Sequence, residues 1–203
     1  MTIRPRCPTG SPPAPAPEPL PVVPDPDGLA GVRVVDLTTI SDPRGGLTEL
    51  FRQDWFPDIP SMVQCNLSRS RAGVLRGMHF HRRQADYWCV LEGRAFVALY
   101  DLRTGSPTEK QSQSLDIDAG RGHRGIYLPP GIAHGFFAHS DLALQYLVDR
   151  GFDGSDEFGF AWNDPALPID WPSSDPLISE RDATASSLVE ALADPPSWPA
   201  LAG

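Results

Sequence analysis

From residue 31 onward, apolar residues occur in short runs of strand length, and turn-forming residues separate the runs. Two of these turns are DPRGG at 42–46 and PPG at 129–131. Many short strands with turns at this spacing are typical of an antiparallel β-sandwich or β-barrel. We therefore predict an all-β fold. The candidate strands are GVRVVDLTTI (31–40), LTELFR (47–52), MVQCNLSRS (62–70), GVLRGMHFH (73–81), DYWCVLEG (86–93), RAFVALYDLR (94–103), RGIYLPP (124–130), HGFFAHS (134–140) and LALQYLVDR (142–150).

The two ends of the chain differ in character from this central part. Residues 1–27 contain ten of the 23 prolines, so residues 1–28 are predicted to form a disordered, proline-rich arm. We expect one β domain at 29–183, followed by a short helix and a tail at 184–203. A helix is predicted over Asp182–Leu192, because its apolar residues fall on one face. These residues are Leu188, Val189 and Leu192.

Charge and composition exclude several classes of function. The formal net charge of −9 and the pI near 4.9 argue against non-specific nucleic-acid binding, which needs a basic surface. No apolar run approaches the roughly 18 residues of a membrane span, and the first residues lack the pattern of a signal peptide. Cys7, Cys65 and Cys89 are an odd number at unrelated spacings, so no disulfide framework is expected. These features predict a cytoplasmic protein without a nucleic-acid or membrane partner.

Three histidines are the most informative polar residues of the chain. His79 and His81 lie two residues apart in a predicted strand, so both imidazoles should point to the same face. His134 follows the PPG turn about fifty residues downstream. This arrangement predicts a small β-barrel whose mouth collects histidines.

Seven sequence pieces, in order from about Val34 to Asp182, resemble the dTDP-4-dehydrorhamnose 3,5-epimerase family. These sugar-nucleotide epimerases have a cupin, or jelly-roll, fold, and the resemblance implies the same barrel here, followed by the short C-terminal helix. The pieces are DPRGGLTE (42–49), VQCNLSRS (63–70), GVLRGMHF (73–80), DLRTGSPT (101–108), LPPGIAHGF (128–136), WNDPALPIDWP (162–172) and LISERD (177–182).

The resemblance implies an isomerase of deoxysugar biosynthesis that works without a cofactor. Family members usually form homodimers and bind a dTDP-4-keto-6-deoxyhexose, in which they epimerise C3, C5 or both by removing a proton beside the C4 ketone. His79 matches the general base and Asp182 the carboxylate that orients it. Tyr146 matches the phenol that returns a proton, if one family residue is missing between Ser140 and Tyr146.

Further positions match the residues with which the family binds its substrate. Arg44 and Arg76 match arginines that contact the diphosphate, and a guanidinium group suits phosphate oxygens because it can bind two of them at once. The remaining matches are polar residues of the nucleotide or sugar pocket. They are Glu49, Gln64, Asn66 and His134.

The chain departs from the family at three positions. Asp86 stands where the family carries a lysine that stabilises the enolate oxygen, His81 replaces a glutamine, and Val97 replaces an aspartate. The change from lysine to aspartate alters the local charge by two units. At about 4 Å and an effective dielectric constant of about 20, one such charge interaction amounts to about 4 kcal/mol. The family's usual stabilisation of the enolate is therefore not expected here.

The same substitutions leave two other hypotheses open. His79, His81, Asp86 and His134 resemble the ligands of metal-dependent cupins, and this set would suit Zn²⁺, Fe²⁺, Mn²⁺ or Ni²⁺. The chain would then be a metal-dependent cupin enzyme acting on another small molecule, and His79 could not also be the free base. Alternatively, His81 and Asp86 form a hydrogen-bonded pair in a metal-free pocket. A third hypothesis is a non-catalytic nucleotide-sugar-binding cupin.

Overall fold

A computed structural model describes residues 28–193, so the predicted proline-rich arm, apart from Gly28, and the last ten residues lie outside the described part. Strands dominate this part, which confirms the predicted all-β fold. They are β1 (Arg33–Leu37), β2 (Thr39–Asp42), β3 (Gly45–Thr48), β4 (Gln64–Ser70), β5 (Leu75–Phe80), β6 (Asp86–Glu92), β7 (Arg94–Asp101), β8 (Ser112–Asp118), β9 (His123–Leu128), β10 (Ile132–Ala138), β11 (Leu142–Val148) and β12 (Phe158–Gly159).

Ten of these strands form two antiparallel sheets, and the other two form a separate hairpin. The first sheet has the order β1-β9-β6-β11-β4, and the second has the order β12-β5-β10-β7-β8. Strands β2 and β3 pair only with each other. Since neighbours in the sheets are mostly distant in sequence, side chains from remote parts of the chain meet between the sheets.

The main hydrophobic core lies between the two sheets and draws on both of them. The first sheet contributes Trp88 and Leu144, and the second contributes Val97 and Phe136. Val97 is fully buried here. Two further clusters cover outer faces: Phe56 packs on the first sheet and Phe160, with its neighbours, on the second. Central strands β6 and β10 are thus buried on both faces, which explains their nearly continuous apolar sequences.

The structure corrects three predictions of local structure. Strand β8 was missed because its sequence SQSLDID is largely polar, as suits an edge strand. The strand expected at 47–52 ends at Thr48, where the hairpin ends. The helix expected over 182–192 is instead two single turns, α1 (Glu180–Ala183) and α2 (Leu188–Ala191).

Helix capping explains why the C-terminal helix is interrupted. Ser179 and Ser187 each accept a hydrogen bond from the backbone N–H three residues later, so each serine starts its own turn. Leu188 is buried, whereas Val189 is 74% exposed, so the predicted common apolar face is wrong. Within residues 28–193, no helix has the length and apolar character needed to cross a membrane.

Candidate active site

A cavity of about 240 Å³ opens between the two sheets. Strands β5 and β10 of the second sheet and β6 and β11 of the first supply most of its walls. Six of the residues predicted from the sequence line this cavity, so the expected cluster of histidines does form. These six are Arg76, His79, His81, Asp86, His134 and Tyr146.

Close contact between β5 and β10 sets the positions of two histidines. His134 pairs with His79 across the ladder, and the register shifts immediately afterwards. Gly77 has a φ of +140°, and a Cβ atom on it would lie 2.7 Å from the Cα of Gly135. Only glycine fits such a close approach of two backbones. The glycines of GVLRGMHF and AHGF thus keep the two histidine strands together.

His79 and Asp182 form the hydrogen-bonded pair that the sequence predicts. The Nε2 of His79 lies 2.7 Å from Oδ1 of Asp182, and the side chain of Asp182 is only 4% exposed. Burial acts to raise the pKa of Asp182, but hydrogen bonds from His79 and Ser179 and nearby positive charges outweigh it, and the pKa is lowered. Asp182 is therefore ionised and accepts the Nε2–H of His79. This tautomer leaves Nδ1 of His79 as the nitrogen that can take a proton.

Tyr146 reaches the same cavity from the opposite sheet. It lies on β11, where it pairs with Trp88 on one side and Asn66 on the other. Burial raises the pKa of Tyr146, and the negative charges of Asp86 and Glu157 act in the same direction. The phenol is therefore protonated at neutral pH and can donate its proton.

His81, Asp86 and His134 form a second group in the cavity. Nδ1 of His81 donates to the carbonyl of Asp156 at 2.8 Å, and Nδ1 of His134 donates to the carbonyl of Ile132 at 3.0 Å. Burial lowers the pKa of His134 well below its usual value, and the charges of His81 and His79 add to this effect.

Asp86 has neutral hydrogen-bond donors on both carboxylate oxygens. Oδ1 accepts from Nε2 of Gln84 at 2.8 Å, and Oδ2 accepts from Nε1 of Trp88 at 3.2 Å. The expected hydrogen-bonded pair of His81 and Asp86 is therefore wrong, because each makes its hydrogen bonds elsewhere. Burial raises the pKa of Asp86, against the opposing effects of His81 and the two donors.

The four side chains of the predicted metal set do not all come together. Potential ligand atoms of His81, Asp86 and His134 lie within 4.8 Å of one another, and His79 is not part of this group. The imidazole of His79 is held by Asp182 instead. The His79–Asp182 pair and the three-residue group are thus separate.

The predicted substrate-binding residues fall into two sets. Arg76 lines the cavity, and its Nε donates to Oγ of Ser70 at 3.1 Å. Asn66 pairs with Tyr146 in the ladder, and its Oδ1 accepts from Nε2 of Gln64 at 2.9 Å. Gln64 and Asn66 thus lie on the same edge strand, β4, as Ser68, which lines the cavity, but they do not line it themselves.

Arg44 and Glu49 lie apart from the cavity of their own chain. Arg44 is in the turn of the β2–β3 hairpin, where its side chain is 90% exposed and pairs with Asp42 at 2.5 Å. Glu49 follows the hairpin and pairs with Arg52 at 2.6 Å. A single chain does not bring these two residues to the site.

Sequence reasoning missed two charged residues of the cavity, Glu157 and Arg181. Their side chains pair at 3.5 Å and both line the cavity. Arg181 could have been found, because it directly precedes Asp182 in LISERD. Glu157 lies outside the predicted strands, and no pattern in its sequence points to the cavity.

Comparisons with known proteins agree with this architecture. The sequence model of a family described as dTDP-4-dehydrorhamnose 3,5-epimerase matches residues 27–190. A dTDP-4-dehydrorhamnose 3-epimerase from Streptomyces niveus is 39% identical over 174 residues, which are 82% of this chain and 84% of the relative.

Two solved structures extend the comparison to three dimensions. NovW, a 4-keto-6-deoxy sugar epimerase from the novobiocin biosynthetic gene cluster of Streptomyces spheroides, superimposes with a TM-score of 0.77 at 38% identity. The match covers 87% of this chain and 92% of NovW. A Legionella pneumophila 3,5-epimerase, solved in complex with dTDP-4-keto-L-rhamnose, gives a TM-score of 0.74 at 32% identity, over 84% of this chain and 95% of that one. The two-sheet architecture and these matches confirm the predicted cupin fold.

Proposed function

The chain belongs to the dTDP-4-dehydrorhamnose 3,5-epimerase family, and we propose that its cavity epimerises a dTDP-4-keto-6-deoxyhexose at C3, C5 or both. It is an isomerase of deoxysugar biosynthesis. Relatives are named both as 3-epimerases and as 3,5-epimerases, so membership in the family leaves the number of epimerised carbons open. The substrate is a small nucleotide sugar, and side chains of the protein itself carry out the proposed proton transfers.

One observation carries this proposal: the candidate base and the candidate acid project from opposite sheets into one cavity. His79 comes from β5 of the second sheet and Tyr146 from β11 of the first. Epimerisation requires a proton to leave one face of a carbon and to return to the other face. A base and an acid on opposite walls satisfy this requirement, provided that the sugar ring lies between them.

Each of the two proton transfers is assigned to a side chain whose protonation state suits it. Nδ1 of His79 takes the proton from the carbon beside the ketone, and ionised Asp182 stabilises the imidazolium that forms. The protonated phenol of Tyr146 then donates to the opposite face. Arg76, at the cavity wall, binds the diphosphate as a charge-assisted donor. Gln64 and Asn66 supply polar contacts to the nucleotide or the sugar.

Solvent exchange tests the proposed reaction directly. In D₂O the enzyme should introduce deuterium at C3, at C5 or at both carbons of dTDP-4-keto-6-deoxyglucose, and NMR identifies the labelled carbon. The labelled position also tells whether one or two centres are epimerised. Binding of the nucleotide sugar without any exchange would instead support the non-catalytic binding protein.

We also propose that the protein is a homodimer. Several large apolar side chains are exposed on residues 28–193, and three of them lie on the β2–β3 hairpin and on edge strand β4. Ile40 and Leu47 lie on the β2–β3 hairpin, 55% and 71% exposed, and Leu67 lies on edge strand β4, 54% exposed. A partner subunit that covers these residues would remove apolar surface from water and protect an unpaired strand edge.

In this homodimer, Arg44 acts on the partner's cavity. Arg44 does not line the cavity of its own chain, and its side chain projects from the hairpin into solvent. Arg44→Ala should weaken substrate binding about 10-fold or more, since a charge-assisted hydrogen bond contributes about 1.5–3 kcal/mol.

The cytoplasmic location expected from the sequence stays a prediction.

Heterodimers with two different tags should reveal this sharing. A heterodimer of Arg44→Ala and His79→Asn subunits should recover about half of the wild-type rate of epimer formation at low substrate, because one of its two sites then holds neither defect. A heterodimer of His79→Asn and Tyr146→Phe is the matched control. Both of those residues line the cavity of their own chain, so each of its two sites carries one defect and it should form little epimer. Equal behaviour of the two heterodimers would contradict a shared site.

A further inference from the structure

Three side chains of the cavity form a group that the proposed proton transfers leave unexplained. His81, Asp86 and His134 are all buried, and one potential ligand atom of each lies within 4.8 Å of the other two. We propose that these three residues bind one divalent transition-metal cation.

The orientation of both imidazoles supports such a site. Nδ1 of His81 donates to the carbonyl of Asp156, and Nδ1 of His134 donates to the carbonyl of Ile132. Each carbonyl fixes the tautomer with its proton on Nδ1, so the lone pair is on Nε2. Nε2 of His134 faces Oδ2 of Asp86 at 3.9 Å. Carbonyl groups orient metal-bound histidines in the same way.

The charge of the group also points to a cation. Asp86 is 4% exposed, and among residues 28–193 its only ion-pair contact is with His134. Gln84 and Trp88, which donate to its two oxygens, are neutral. With neutral imidazoles and an ionised Asp86, the group carries one negative charge that no arginine or lysine among residues 28–193 pairs. Burial of an unpaired carboxylate is costly, and a bound cation removes that cost.

Ligand chemistry narrows the choice of cation. Two imidazoles and one carboxylate favour transition metals over Mg²⁺ and Ca²⁺, which prefer oxygen ligands. Metal bonds of about 2.0–2.2 Å place adjacent ligand atoms about 3.0–3.5 Å apart. The three side chains therefore need to close by about 1 Å around the ion. Three protein ligands leave at least one coordination position open.

The site also bears on catalysis, and this part rests on the proposed function. The cation lies beside Asp86, at the position where the family carries a lysine. When bound, it supplies a Lewis acid next to the sugar ketone. His79 stays available as the base, because it is hydrogen-bonded to Asp182 and lies outside the group.

Metal titration of the full chain tests the site without reference to activity. Protein stripped with EDTA and dialysed is titrated with Zn²⁺ by calorimetry and with Co²⁺ by visible absorption. The wild-type chain should bind about one equivalent. Asp86→Asn and His134→Gln should weaken binding on the order of 100-fold. His79→Asn should keep the wild-type affinity, which separates the three-residue site from a four-residue one.

Further controls keep the proposal open to refutation. His139→Gln removes a histidine outside the cavity and should leave the affinity unchanged. If a ligand variant fails to fold by circular dichroism, the melting temperature of the wild-type chain should still rise with Zn²⁺, because ligands of the folded state stabilise it. Absence of both a bound equivalent and this rise, or unchanged affinity in folded Asp86→Asn, overturns the proposal. Stoichiometric binding without solvent exchange overturns the proposed function and leaves the metal site standing.

Discussion

His79→Asn is expected to lower deuterium incorporation into dTDP-4-keto-6-deoxyglucose by about 1,000-fold, since general-base catalysis contributes about 10² to 10⁴. Asparagine keeps a polar side chain of similar reach but cannot take a proton. The ionised Asp182 would then face an amide in place of an imidazole. The exchange rate at each carbon, followed by NMR in D₂O, measures the effect.

Asp182→Asn provides the matched comparison for His79. Asp182 is a positioning residue, because its carboxylate contacts the imidazole and does not line the cavity itself. Its replacement should lower kcat by about 10- to 100-fold and leave KM nearly unchanged, because only the stabilisation of the imidazolium is lost. A purely structural role for Asp182 would change the fold and KM together.

His139→Gln serves as the control for histidine replacement outside the site. It should exchange deuterium at the wild-type rate. Wild-type exchange in His79→Asn would rule out His79 as the base and direct attention to the other imidazoles of the cavity.

Tyr146→Phe is expected to separate proton removal from inversion. His79 can still remove the proton and return it to the same face, so deuterium exchange should stay within a few fold of wild type. Formation of the epimer should fall by about 100-fold, because no acid remains on the opposite wall. Product analysis by NMR, in parallel with the exchange rate, gives both quantities from one reaction.

Tyr127→Phe is the control for loss of a buried tyrosine hydroxyl. Tyr127 lies on β9 of the same sheet and outside the cavity, and burial raises its pKa to about 12. This variant should epimerise and exchange as the wild type does. If Tyr146→Phe epimerises normally, Tyr146 is not the acid, and water or another cavity residue returns the proton.

The expected replacement of a family lysine by Asp86 connects these predictions to the metal site. An ionised Asp86 without a cation would repel the negative charge that develops on the substrate oxygen. With Zn²⁺ bound, both exchange and epimerisation should be faster than in the stripped chain. A metal-independent rate would confine the ion to a structural role in the cavity.

The sequence by itself determined the fold class and most of the candidate active site. Short apolar runs between turns depend on local chemistry, and eight of the nine predicted strand regions are correct in position. His79, Asp182, Tyr146 and Arg76 were identified because the short motifs that hold them resemble those of the epimerase family, and the structure places them at or beside one cavity. Motifs of this kind are readable because their residues are adjacent along the chain.

Only the tertiary structure decided how the polar side chains of the site are paired. His81 and Asp86 lie five residues apart, yet His81 bonds to Asp156 and Asp86 to Gln84 and Trp88. Ring and carboxylate orientations depend on partners that the fold brings from distant segments. For the same reason, the chain pattern placed Arg44 at the site, whereas the fold puts it on a projecting hairpin. Spacing along a strand determines which face a side chain occupies, and the neighbouring strands determine what it meets there.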